Sequence, residues 1–133
     1  MRSTMERLLA RLAQLVRALT PQTAQQPAQP PLEILRFDEE QLLIRGCDGV
    51  LCFERRRRVV KKAGRVVASF EAISQVRLAH HRGGDDHPAY WSVDLHVKGW
   101  FADVRVGSSE YDVDASIAAA RIATVVGKPV KAW

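Results

Sequence analysis

Apolar residues near the start of the chain follow a helical period. Between residues 5 and 19 they recur at steps of mostly three and four, with arginine and glutamine around them. This period predicts an amphipathic α-helix, about 15 residues and roughly 22 Å long. One face of it carries a leucine stripe, which comprises Leu8, Leu12, Leu15 and Leu19. Because an isolated helix of this length is marginal in water, we expect the stripe to be buried against another surface.

The next segment, residues 20–31, has the composition of a linker. It contains four prolines and four glutamines in twelve residues, which disfavours both a helix and an inner strand. Extended in polyproline geometry, it would reach about 37 Å. The sequence thus predicts a docking helix at 1–19, a linker at 20–31 and one folded domain at 32–133.

From Leu32 onwards the apolar period changes to that of β-strands. A corner over residues 70–73 interrupts the series. The predicted strands are Leu32–Phe37, Gln41–Cys47, Gly49–Glu54, Val59–Lys61, Arg65–Phe70, Gln75–Ala79, Tyr90–Val97 and Trp100–Val106. Short strands separated by turn signals favour an antiparallel arrangement.

The Asp48-Gly49 pair predicts a two-residue hairpin turn. In this register Cys47 faces Val50 and Cys52 faces Arg45, so the two cysteines lie diagonally and are poorly placed for a disulfide. The same alternation assigns a core face to Leu42, Ile44, Leu51 and Phe53. Two reduced thiols favour a cytoplasmic location.

A second hairpin is predicted around Lys98-Gly99, with Val97 opposite Trp100. Both strands then turn their apolar residues to one side, which supports the register. The apolar set is Trp91, Val93, Leu95, Val97, Trp100, Ala102, Val104 and Val106. On the outer side, Asp94 and Asp103 face each other, and two opposed carboxylates are a conceivable acid–base pair unless Arg105 and His96 neutralise them.

The last element is predicted to be a helix. Asp112 or Asp114 would form its N-cap, and Gly127 followed by Pro129 would end it. Its expected buried stripe is Val113, Ile117, Ala118, Ile122, Val125 and Val126. The predicted fold class is therefore α+β, an antiparallel β-sandwich or barrel closed by a C-terminal helix and preceded by the tethered N-terminal amphipathic helix.

Three segments resemble uncharacterised bacterial pleckstrin-homology-like (PH-like) domains. They are Val50-Leu-Cys-Phe-Glu-Arg55 with its basic turn, Phe70-Glu-Ala-Ile73-Ser-Gln-Val76, and Ala123-Thr-Val-Val-Gly127-Lys-Pro129-Val130. The resemblance covers residues 32–133 and lies in the pattern rather than in a diagnostic motif. It implies a noncatalytic binding or assembly module, often attached to membrane proteins. It also implies that Arg55–Arg58 lies at a hairpin mouth, where phosphoinositide-binding PH-like domains gather basic residues.

The chain has a net charge of +5, and 47% of its residues are hydrophobic, as is ordinary for a globular protein. Residues 1–31 account for +3, from four arginines and one glutamate. There is no run of about 18 apolar residues, which a membrane-spanning helix would need.

The basic run is the strongest charge signal in the body: Arg55, Arg56, Arg57, Arg58, Lys61 and Lys62, with Arg65 nearby. It is either a solvated hairpin edge that discourages aggregation, or a surface for an acidic protein or for anionic lipid. Nucleic acid is the least favoured partner, because no aromatic RNA-binding signature lies among the charges.

Two further groups of polar residues were considered for chemistry. The segment His80–His87 holds three histidines and two aspartates, which are good metal ligands, but at a spacing that fits no established motif. Ser108-Ser109 lacks a nucleophile elbow or a phosphate loop. We therefore predict no enzyme, no cofactor and no metal site, with a small metal protein or enzyme built on the histidine segment as the lesser alternative.

The sequence favours an accessory subunit that docks to a protein partner, or to its own copy, through residues 5–19. The predicted partner-binding residues are Leu8, Leu12, Leu15, Leu19 and Trp133. Trp133 either packs under the body or contacts a partner, since tryptophan is enriched at interface hot spots. The alternative is peripheral binding to an anionic membrane, which would place the protein at the inner membrane face.

Overall fold

The computed structural model describes residues 32–99 and 103–133. These residues form nine strands and one helix. The strands are β1 (Glu33–Phe37), β2 (Gln41–Gly46), β3 (Gly49–Glu54), β4 (Val59–Lys62), β5 (Arg65–Ser69), β6 (Ile73–His81), β7 (Tyr90–Val97), β8 (Val104–Ser109) and β9 (Val130–Ala132), and the helix is α1 (Asp112–Val126). The predicted N-terminal helix and linker lie outside the described residues.

The first sheet is an antiparallel meander in the order β1-β2-β3-β4-β5. Its predicted core face is confirmed, because Leu42 pairs with Phe53 and Ile44 with Leu51, and all four side chains are buried. The predicted partners of the cysteines are wrong, since Arg45 pairs with Val50 and Leu43 with Cys52. The turn is formed by residues 47 and 48, because Gly46 pairs with Gly49. Gly46 is therefore the last residue before the turn, which Cys47 was expected to be. Both cysteines are free thiols.

The second sheet has the order β8-β7-β6-β9. Strand β6 runs from Ile73 to His81, so it is longer than the predicted Gln75–Ala79 and contains His80 and His81, which were expected in the loop. Strand β9 was not predicted, and it pairs in parallel with β6. It is fixed by backbone hydrogen bonds from Val76 N–H to Pro129 C=O and from Trp133 N–H to Leu78 C=O, both 2.9 Å.

The register of β7 and β8 differs from the prediction. Strand β8 begins at Val104, so Leu95 pairs with Val104 and Asp94 with Arg105, and a bulge follows between Val93 and Asp94. Val93, Leu95 and Val97 are nevertheless buried as predicted. Trp91 is half-buried and packs against the core.

Helix α1 packs against the inner face of the second sheet and closes the core. Gly127 ends it in the left-handed region, with φ of 71°, as predicted. The predicted aspartate N-cap is wrong, because Tyr111 occupies that position without a side-chain capping bond. The predicted stripe is also partly wrong: Ala115, Ala118 and Ala119 face the core with Ile122, Val125 and Val126, whereas Val113 and Ile117 are exposed.

The core lies between the two sheets and beneath the helix. Its largest fully buried side chains include Phe53, Phe70, Ile73, Leu95 and Ile122. The sheets are in close contact where Gly46 meets β8, since a Cβ on Gly46 would lie 1.7 Å from the carbonyl oxygen of Val106. The α+β fold with antiparallel sheets and a C-terminal helix is confirmed. The two sheets remain separate rather than closing into a barrel.

Candidate functional site

The predicted partner-binding residues fall in two places. The leucine stripe lies outside the described residues. Trp133 is described, and its side chain is 69% exposed although its backbone is held against β6. The guanidinium of Arg77 lies 5.6 Å from the centroid of its indole ring. Trp133 thus combines a fixed backbone with an accessible aromatic ring.

The basic run occupies the turn between β3 and β4, residues 55–58, and the end of β4, where Lys61 and Lys62 lie. Arg55 donates a hydrogen bond to the carbonyl oxygen of Asp38 at 3.0 Å. Arg58 pairs with Glu71 at 2.8 Å, and this hydrogen bond lowers the pKa of the Glu71 carboxyl. These two arginines therefore reach to opposite sides of the turn, and neither is available to complete a single patch.

The remaining members of the run are also distributed. The carboxylate of Glu54 lies 3.1 Å from Lys61 and 3.8 Å from Arg57. The carboxylate of Asp48 lies 4.0 Å from Lys62. Within residues 32–99 and 103–133, Arg56 and Arg65 form no ion pair. Three acids, Glu54, Glu71 and Asp48, thus contact four of the six cations of the run, and a polar solvated hairpin describes it well.

The histidine segment splits between a strand and a loop. His80 packs on Trp91, with 4.4 Å between ring centroids, and His81 stacks on Tyr90 at the same separation. His87 stands edge-on to Tyr90 at 6.3 Å and shares a hydrogen bond with the Pro88 carbonyl. Among the described residues, no three histidine, cysteine or acidic side chains are grouped to hold a metal ion.

The proposed pairing of Asp94 with Asp103 is wrong. Because β8 is displaced along β7, Asp94 lies opposite Arg105, and the Arg105 Nε–Asp94 Oδ1 distance is 2.5 Å. Asp103 instead lies 2.8 Å from both Arg77 Nη1 and His96 Nδ1. Each carboxylate therefore pairs with its own arginine, Asp94 with Arg105 and Asp103 with Arg77.

A serine–histidine contact escaped the sequence analysis. The Oγ of Ser92 lies 2.8 Å from His81 Nε2 and 3.4 Å from Asp94 Oδ2, and Ser92 is fully buried. In a catalytic triad the carboxylate orients the histidine, and the serine is open to substrate. Here the carboxylate contacts the serine, and the serine hydroxyl is enclosed, so the arrangement differs from a triad. We interpret the His81–Ser92 contact as one that joins the neighbouring strands β6 and β7. The pairing of Ala79 with Ser92 across the β6–β7 loop brings these residues together.

An exposed apolar surface on α1 and β1 was also missed. Val113 is 65% and Ile117 45% exposed on the helix, and Leu35 and Phe37 are exposed on β1. The guanidinium of Arg121 lies 4.8 Å from the centroid of the Phe37 ring and joins the two elements. We call this surface the α1–β1 groove, and it comprises Leu35, Phe37, Val113, Ile117 and Arg121.

No helix among the described residues is both long and apolar enough to cross a bilayer. Comparison with known proteins gives no match to any family model, curated protein or solved structure.

Proposed function

We propose that this protein is a noncatalytic interaction module, an accessory subunit that docks to a larger protein complex through its leucine stripe. The observation that carries the proposal is the position of the stripe: four leucines on one predicted helical face, ahead of a twelve-residue proline-rich linker. Such a tether lets a helix bind a partner at a distance from the body that carries it.

The body supports this proposal through the way its reactive side chains are used. His81 and Asp94 contact Ser92, and His96 contacts Asp103. The His81–Ser92 contact joins β6 to β7, the Ser92–Asp94 contact lies within β7, and the His96–Asp103 contact links β7 to the residue before β8, so these side chains stabilise the second sheet. The exposed Trp133 ring offers a second apolar contact on the body.

The PH-like resemblance belongs to the same proposal. Two mostly antiparallel sheets with a helix packed against a common core support it. We propose that residues 32–133 form a PH-like domain that acts as a binding platform in the cytoplasm.

The mode of docking is an amphipathic helix in an apolar groove. Burial of a leucine side chain contributes about 1.5–3 kcal/mol, so two leucines carry much of the affinity of a short helix. Replacement of both Leu12 and Leu15 by aspartate removes that contribution and would place two charges in the apolar groove of the partner.

The test is affinity purification of the full-length protein from its native host, with quantitative mass spectrometry of what is bound. The Leu12→Asp/Leu15→Asp variant should recover less partner by more than about tenfold, because each 1.4 kcal/mol corresponds to about tenfold in affinity. The matched control is Gln14→Asp, which adds a charge to the opposite helical face. It should recover as much partner as the wild type. Equal recovery by the leucine variant would overturn the proposal.

The second candidate function is peripheral binding to an anionic membrane. It is favoured by Arg56 and Arg65, which form no ion pair in the described parts of the chain, and by the four arginines of residues 1–31. Co-sedimentation with phosphatidylserine vesicles at physiological salt tests it. Retention by wild type and loss in Arg56→Glu/Arg65→Glu would support it, and a wild-type protein left in the supernatant would exclude it.

A further inference from the structure

Strand β1 runs beside helix α1 and leaves the α1–β1 groove between them. At one end, Leu32 packs against Gly107, since a Cβ on this glycine would lie 2.6 Å from Leu32 Cδ1. At the other end, Arg121 lies over Phe37. Gly107 precedes the helix by five residues and Arg121 lies in its third turn. The Arg121–Phe37 contact therefore holds the third turn of the helix beside the end of the strand.

The helical side of the groove is a single face. Val113, Ile117 and Arg121 are spaced four residues apart, so they lie above one another on the helix. Because Arg121 reaches Phe37, this face is the one directed towards β1. Val113 and Ile117 thus form an apolar strip along the groove, and both are substantially exposed.

The position of the N-terminal segment relative to the groove identifies an occupant. The chain outside the described residues joins them at Leu32, immediately before β1 and beside Gly107 of β8. Five residues of β1 span about 17 Å, whereas residues 20–31 reach about 37 Å when extended. The linker is therefore long enough to return residues 5–19 along the groove. A tether of this kind raises the local concentration of the helix to the millimolar range.

The charges of the two surfaces are complementary. Residues 1–31 carry four arginines and one glutamate. The residues that flank the groove are mostly acidic, with Glu110, Asp112 and Asp114 at the start of α1 and Asp38, Glu39 and Glu40 after β1, against the cations Arg121 and Arg36, the latter paired with Asp38 and Glu40. An arginine-bearing helix with a leucine stripe thus meets an apolar strip between acidic borders, an arrangement that favours association and sets orientation.

We propose that residues 5–19 of this same chain occupy the α1–β1 groove when no partner is bound, with the leucine stripe against Val113, Ile117 and Phe37. Since the stripe is also the docking element of the proposed function, a partner must displace the helix from the groove. The competition between the partner and the groove for the helix rests on the proposed function. Occupancy of the groove does not rest on it and has its own test.

The experiment compares amide spectra of ¹⁵N-labelled full-length protein and its variants. Leu12→Asp/Leu15→Asp should shift the amide signals of Phe37, Val113 and Ile117. It should leave Val66, which is 58% exposed on β5, unchanged. Gln14→Asp should leave all four signals in place. From the other side of the contact, Ile117→Asp at its exposed position should shift the signals of Leu12 and Leu15.

Several results would overturn the proposal: groove signals that do not respond to the leucine variant, shifts of equal size at Val66, or an unchanged leucine stripe in Ile117→Asp. Shifts that fade on dilution would assign the groove to the helix of a second copy and overturn occupancy within one chain. Absence of these shifts together with partner capture by the stripe would remove the groove assignment alone. Groove shifts without partner capture would remove the proposed function alone.

Discussion

The two cysteines differ in their surroundings although both are free thiols. Cys52 lies on β3, and its Sγ is 3.2 Å from the Oε1 atom of Gln41. Burial raises the pKa of the Cys52 thiol, Glu54 raises it further, and Lys61 partly offsets the increase. Cys47 lies in the turn between β2 and β3.

This difference predicts unequal rates of alkylation. The thiolate is the reactive form, so a raised pKa slows the reaction of Cys52 at neutral to mildly alkaline pH, and its position on a central strand restricts access. We expect iodoacetamide to modify Cys47 several times faster than Cys52. Peptide mapping by mass spectrometry over a time course measures both rates, and faster modification of Cys52 would contradict the described environment.

Asp38 holds the turn between β1 and β2. Its Oδ1 accepts hydrogen bonds from the backbone N–H of Gln41 at 2.9 Å and of Glu40 at 2.8 Å, and its carboxylate pairs with Arg36. The hydrogen bond from Gln41, followed by those from Arg36 and Glu40, lowers the pKa of Asp38.

A lowered pKa of an acid gives a defined dependence of stability on pH. The contribution of Asp38 is fully present above its pKa of about 3.9 in the unfolded chain, and it is lost as the pH falls through the lower folded value. Asp38→Asn should therefore lose less stability than the wild type between neutral pH and about pH 3. Urea unfolding at both pH values measures this, with Glu39→Gln as the matched control in the same turn. An Asp38→Asn profile that equals the wild type would contradict this role.

At the scale of elements, the sequence predicted which face of the sheet a residue lies on better than it predicted the residue that pairs with it on the neighbouring strand. Next to the turn of both mispredicted hairpins the observed pairing differs by two positions: Arg45 rather than Cys47 faces Val50, and Arg105 rather than Asp103 faces Asp94. Beyond the bulge between Val93 and Asp94, the β7–β8 pairing differs by three. Side chains alternate with a period of two, so a shift of two keeps every residue on its face and changes only the residue opposite. The core was thus predictable from alternation, whereas the Asp94–Asp103 pair depended on turn geometry and failed.

The helix shows why hydrophobicity alone misassigned one face. Val113 and Ile117 are larger than Ala115 and Ala119, which take their place in the core beside the correctly predicted Ala118. Small side chains allow a helix to approach a sheet closely, so they are preferred at the contact. The larger residues remain on the side that faces β1, where they form the α1–β1 groove.

The contact between β2 and β8 makes Gly46 sensitive to substitution. A Cβ there would lie 1.7 Å from the Val106 carbonyl oxygen, so the backbone of one sheet would have to move. Gly46→Ala should destabilise the protein by about 1–3 kcal/mol, as for overpacked cores. Gly64→Ala is the control, because its φ of 78° is strained for alanine but no atom lies within 4 Å of a Cβ. Urea unfolding that ranks Gly64→Ala as the more damaging change would contradict the close approach.

At the scale of the whole molecule, the predictable features were those encoded locally. The leucine stripe and the basic run are visible in neighbouring residues. The contact of His81 with Ser92 depends on strands joined across a loop, and the attachment of β9 to β6 joins positions more than fifty residues apart. Such pairings reflect tertiary packing, which no local pattern specifies.

The central claim is that the protein acts through an apolar docking element. Washing the captured complex at rising salt tests it most directly, because the Debye length falls from about 10 Å at 0.1 M to about 3 Å at 1 M, which screens charge contacts and leaves apolar burial intact. The account predicts that wild-type protein and Gln14→Asp keep their partner throughout, and that Leu12→Asp/Leu15→Asp fails to hold it even at low salt. Release of the wild-type complex at high salt, or its retention by the leucine variant, would contradict the account.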